Sequence, residues 1–79
     1  MAQVLLFGRL ADLAGWRDRV VEAGSLAALR TLIADQVPAL AEALAGPGVQ
    51  VAVDKALVRG EAVLTATTVV AFLPPMSGG

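Results

Sequence analysis

The sequence predicts an α+β domain, with one main helix packed across a mixed sheet. Three observations carry this. First, short apolar, β-branched runs that suit strands stand on both sides of one long helical stretch, residues 26–37. Second, turn signals at Gly8, Ala23-Gly24, Gly46-Pro47-Gly48 and Gly60-Glu61 divide the chain into short elements. Third, 57% of the 79 residues are apolar and only 16% are charged. Typical globular chains run nearer 45–50% and about 25%. So greasy a chain is not disordered. A domain this short buries only about 60% of its unfolded surface, so part of the apolar surplus stays outside as a patch.

Residues 3–7 read as a strand with bulky apolar side chains on both faces. Gln3, Leu5 and Phe7 share one face, and Val4 and Leu6 the other. Such a strand is covered on both sides or meets a partner. A short connector with one helical turn at residues 10–14 follows. Residues 17–22 then alternate loosely, as an edge partner of the first strand would. Ser25 suits a helix N-cap, since its hydroxyl can accept from a free amide of the first turn. Leu26, Leu29, Ile33 and Val37 recur at helical spacing and form one stripe. Pro38 disfavours helix at Val37 and opens a second, shorter helix over residues 39–45. After the Gly-Pro-Gly turn come a strand at residues 49–53, a turn at Asp54-Lys55, and extended chain at Leu57-Val58. The last strand is residues 69–73, where Pro74 stops ladder pairing. Two hairpin-like arms joined by a helical crossover put the first and last strands side by side at the sheet centre. That is the β-grasp, ubiquitin-like arrangement: residues 1–73 form the domain and residues 74–79 an extended tail.

The missing residue types narrow the chemistry. The chain has no Cys and no His. It therefore has no disulfide, no thiol nucleophile, no imidazole base and no expected metal site. Net charge is −1, with the six cations scattered among acids, so no nucleic-acid partner is expected. The start lacks the basic, long apolar pattern of a secretory signal, and the absence of Cys agrees with the cytoplasm. Residues 62–79 carry no charge over 18 residues, but their threonines, prolines and glycines suit a strand and tail rather than a membrane span. Trp16 reads as a cover over an apolar edge, and Lys55 and Arg59 as solvated turn charges. The seven carboxylates show no pairing for acid–base work.

The chain ends Leu73-Pro74-Pro75-Met76-Ser77-Gly78-Gly79. Frayed ends are the default for such segments. Here, though, two prolines favour an extended exit, and six residues reach at most about 20 Å. The glycines lack Cβ and would pass a narrow channel in another protein.

The ending, residues 70–79, resembles the small, sulfur-carrying subunit of molybdopterin synthase, the MoaD type. So does the opening Val4-Leu5-Leu6-Phe7-Gly8-Arg9-Leu10 with Ala14-Gly15, and Val51-Ala52-Val53-Asp54. The family often has Asn where Asp54 stands, and an Asp-Gly-Asp-Glu turn where this chain has Thr65-Ala66-Thr67-Thr68. The resemblance covers the whole chain, and Phe72-x-Pro-Pro with the terminal diglycine is its most specific part.

The resemblance implies that Gly79 is the reactive residue. A ubiquitin-activating-type enzyme would adenylate its carboxylate with ATP, and sulfur transfer would convert it to a thiocarboxylate. ATP is used by that partner, and no cofactor is bound permanently. The charged carrier would dock on the large catalytic subunit of molybdopterin synthase and donate sulfur to a pterin precursor. Phe7, Leu57 and Leu73 match positions that face the large subunit, while Pro74, Pro75, Met76, Ser77 and Gly78 would enter it. A sulfur carrier for thiamine or cysteine synthesis, a ubiquitin-type protein modifier, and a plain β-grasp binding module with an inert tail remain the alternatives.

Overall fold

A computed structural model describes residues 2–75. The elements run β1 (Ala2–Leu6), α1 (Arg9–Ala14), β2 (Asp18–Val21), α2 (Leu26–Gln36), α3 (Pro38–Leu44), β3 (Gln50–Val53), β4 (Ala56–Val58) and β5 (Val69–Leu73). The sheet order is β2-β1-β5-β3-β4. The first and last strands pair in parallel, from Gln3 opposite Val69 to Leu6 opposite Phe72, and every other pairing is antiparallel. A parallel pair needs a long crossover, which the α2–α3 segment supplies. The mixed sheet with its crossing helix is the expected β-grasp fold.

Local chemistry explains where the main helix starts and stops. Ser25 is extended, at φ −152° and ψ 161°, and its Oγ accepts from the Ala28 amide at 3.1 Å. A second cap comes from far along the chain. Glu61 Oε1 accepts from the Ala27 amide at 3.0 Å and from the Ala62 amide at 2.9 Å. Those amides, Ala62 first and then Ala27, hold the Glu61 carboxyl below its ordinary value against a smaller desolvation effect. At the other end Val37 leaves the helical region, at φ −137°, and Pro38 occupies the first turn of α3. Proline costs nothing there, because that amide has no helical partner anyway.

Burial alternates along both central strands, with Ala2, Val4 and Leu6 of β1 and Val70 and Phe72 of β5 inside. These meet Leu10, Leu26, Leu29, Ile33, Leu40 and Leu44 from the three helices, together with Val51. Val37, expected in the buried stripe, is only half-buried, because it is the junction between two helices rather than part of either.

Two turns are settled by side chains. Asp54 and Lys55 both have positive φ, 50° and 72°, as a two-residue hairpin turn matched to strand twist requires. Asp54 also grips the start of β5. Its amide donates to the Val69 carbonyl at 2.8 Å, and its Oδ1 accepts from the Val69 amide at 2.9 Å. An Asn at this position would carry the same acceptor oxygen, so the contact does not depend on the carboxylate charge. The Thr65-Ala66-Thr67-Thr68 loop closes on itself. The buried Thr68 Oγ1 accepts from the Thr65 amide at 2.8 Å, and the Thr68 amide donates to the Thr65 carbonyl at 3.2 Å.

Candidate functional site: the open sheet face and the tail exit

The three helices cover one face of the sheet. The strand register gives the composition of the other. Asp18, Leu5, Ala71, Ala52 and Leu57 are successive neighbours across all five strands, from β2 to β4. A neighbouring rung carries Val20, Gln3 and Val69. Small Ala52 and Ala71 sit between the larger Leu5, Val69 and Phe7, so the face is hollowed. The hollow encloses about 370 Å³ and is lined by Leu5, Phe7, Ala52, Asp54, Lys55, Val69 and Ala71. Its polar edge toward β2 is held by Gln3, whose Nε2 donates to Asp18 at 2.9 Å.

Phe7 stands at the rim, just beyond β1, with 44% of its surface exposed. It is fixed there because Gly8 follows immediately and the Phe7 carbonyl accepts from the Leu10 amide at 3.2 Å, at the entry of α1. Leu57 lies across Ala52 on the outer strand and is 61% exposed. Leu73 is half-buried at the end of β5, opposite Gln50. The alternation of β5 explains why Phe72 and Leu73 part company, since Phe72 enters the helix-side core and Leu73 the open side. The three proposed contact residues thus share one face, with Leu57 on the far side of Ala52 from the hollow.

The floor residues Leu5, Val69, Ala52 and Ala71 complete this surface. For Leu5 the signal was present, in a first strand apolar on both faces. Ala52 and Ala71 carry no signal of their own, because a small residue marks a hollow only once its cross-strand neighbours are known. Pro74 is half-buried and Pro75 exposed, directly beyond β5. Met76, Ser77, Gly78 and Gly79 lie outside the described residues.

The rest of the surface offers little chemistry. Trp16 is half-buried against the core with the Arg19 guanidinium 4.9 Å from its ring centre, so it acts as a cover. Glu61 is committed to capping α2. Among the described residues no three metal-ligating side chains cluster, and no helix is long and apolar enough to cross a membrane.

Comparison with known proteins agrees with this architecture. A model of the ThiS family matches residues 4–79. No curated protein matches. SAMP1 from Haloferax volcanii is 23% identical, with a TM-score of 0.84 over 99% of this chain and 98% of that one. The small archaeal modifier protein 1 of Methanosarcina acetivorans is 21% identical, with a TM-score of 0.86 over 99% and 95%. At these identities the two structures speak to the fold, which is the ubiquitin-like β-grasp. Because the family model runs from within β1 to the end of the sequence, residues 4–79, the chain belongs to the ThiS family.

Proposed function

We propose that this chain is the sulfur-carrying small subunit of molybdopterin synthase, acting in the cytoplasm through the carboxylate of Gly79. The observation that carries the reading is an uncovered apolar sheet face on the very strand that feeds the tail. Leu5, Phe7, Ala52, Val69 and Ala71 form the hollow, and β5 continues directly into Pro74. A partner seated on that face receives the tail at a fixed distance from its own docking surface. The Phe72-x-Pro-Pro ending supports molybdopterin among the sulfur-carrier pathways.

The chemistry is divided between proteins. A free carboxylate is a poor acyl donor. A ubiquitin-activating-type enzyme joins it to ATP, releasing pyrophosphate and leaving an acyl-adenylate. A sulfur nucleophile then displaces AMP, and the product is a thiocarboxylate. Glycine at the acyl carbon gives the least hindrance to attack. On the large subunit the thiocarboxylate sulfur bonds to the pterin precursor, and water then cleaves the acyl–sulfur bond and restores the carboxylate. A chain without His or Cys leaves the acid–base groups to its partners.

The likeness to two small archaeal modifier proteins supports a second reading, that of a protein modifier. In that case an amine captures the acyl-adenylate and forms an amide. Intact-mass measurement separates the two after incubation with the activating enzyme, ATP and a sulfur donor. The carrier reading expects one oxygen replaced by one sulfur at Gly79, and sulfur delivery when the large subunit and its pterin precursor are added. Amide-linked adducts without any thiocarboxylate would overturn it.

A further inference from the structure

We propose that Gly8 and Gly48 form a cradle that sets the direction in which the chain leaves the sheet, making them positioning residues for acyl transfer at the tail. The proposal rests on the carrier reading. Strand β5 lies between β1, which is parallel to it, and β3, which is antiparallel. The end of β1 and the start of β3 therefore flank the point where β5 ends. Gly8 follows β1 by two residues and Gly48 precedes β3 by two, so one glycine lies on each side of the exit.

Each glycine faces one proline. A Cβ added at Gly8 would lie 3.2 Å from Pro74 Cγ. A Cβ added at Gly48 would lie 2.7 Å from Pro75 Cβ and 3.5 Å from Pro75 Cα. Proline cannot swing its ring aside, because the ring is closed onto its own backbone nitrogen and φ is locked near −65°. Pressure on the ring therefore becomes displacement of the tail's backbone. Relaxing the Gly48 contact from 2.7 Å to an ordinary 3.4 Å requires 0.7 Å of movement, since 3.4 − 2.7 = 0.7. A misplacement of about 1 Å at a reacting group can cost about 10²-fold in rate.

Both glycines also have positive φ, 56° and 85°, so the turn alone could call for them. Gly15 supplies the control. Its φ is 82°, almost that of Gly48, but nothing lies within 4 Å of where its Cβ would be. Gly15→Ala imposes similar backbone strain without touching the tail.

The test compares wild type, Gly48→Ala and Gly15→Ala in three measurements: melting temperature, the amide NMR shifts of Met76 and Ser77, and ATP–pyrophosphate exchange by the activating enzyme. Both variants are expected to lose the stability that positive φ costs, and Gly48→Ala a further part from its contact with Pro75. Only Gly48→Ala should move the Met76 and Ser77 amides and lower kcat for exchange at least tenfold. KM should hold within about twofold, because the open face is untouched. Gly48→Ala should also cost far less in a Pro75→Gly background, where the opposing Cβ is gone. That cycle remains decisive if Gly48→Ala folds poorly, since relieving the contact must then recover the stability lost beyond that of Gly15→Ala, and rate with it. Equal kinetic losses in both variants, unchanged tail amides, or no relief from Pro75→Gly would each overturn the cradle. Absence of any exchange by wild type with its activating enzyme would instead overturn the carrier reading, and the amide shifts with the cycle on stability would still decide whether the cradle exists.

Discussion

Truncating Phe7 to alanine probes the open face directly, and the structure sets the size of the effect. Full burial of a Phe side chain contributes about 1.5–3 kcal/mol. With 44% of Phe7 exposed in the free chain, docking has at most that share left to bury. Taking the upper figure, the loss on docking is about 1.3 kcal/mol, or roughly a tenfold weaker Kd. The other half of the side chain already packs on its own protein, so folding should lose a comparable amount. Binding of the Phe7→Ala variant to the large synthase subunit is therefore best measured by titration calorimetry at a temperature where urea curves show it fully folded. Leu57→Ala, more exposed at 61%, shifts the balance toward binding and serves as the companion measurement. The reasoning fails if Phe7→Ala lowers stability but leaves Kd within twofold. Phe7 would then be a wall of the hollow that no partner touches.

Leu29 is fully buried under the sheet, so Leu29→Ala should cost about 2–5 kcal/mol in chemical denaturation. Ser25→Ala removes the local cap of α2 and should cost about 1 kcal/mol in the same assay. Glu61 has a carboxyl held below its ordinary value, so its contribution is present above the unfolded value and disappears as pH falls through the folded one. Glu61→Gln should therefore melt lower than wild type near neutral pH, with the gap closing in acid; a gap independent of pH would refute the charged cap. One residue appended after Gly79 should leave the melting temperature unchanged and abolish the sulfur-for-oxygen mass change.

Much of this architecture is legible because neighbouring residues decide it. Ser25 caps a helix three residues from its own hydroxyl, Val37-Pro38 separates two helices by local sterics, and Asp54-Lys55 turns where the chain has little else to do. The less legible parts join residues distant in sequence. Glu61 reaches Ala27 across 34 positions, and no helix-start pattern near residue 25 could announce it. Ala52 and Ala71 become a hollow floor only through cross-strand pairing. The open face was half visible, because a strand that is apolar on both sides demands two covers and the helices supply one. Gly8 and Gly48 read simply as turn glycines until Pro74 and Pro75 are placed against them.

The central position of β5 bears on how the molecule is made. Its ladder with β1 joins residues 66 apart, since Gln3 faces Val69 and 69 − 3 = 66. Closing such a loop costs roughly 4 kcal/mol of chain entropy before any contact rewards it. Until that strand arrives, β1 and β3 have no neighbour between them, and Val4 and Leu6 lack Val70 and Phe72. During synthesis on a ribosome the sheet must therefore wait until residue 73 clears the exit tunnel, and by then the six residues beyond β5 have already been translated. A molecule truncated before β5 would lose its core and its tail together. Because Val69 and Ala71 of β5 also line the apolar hollow, any truncation before Val69 removes the open face together with the tail, and no such fragment presents one without the other.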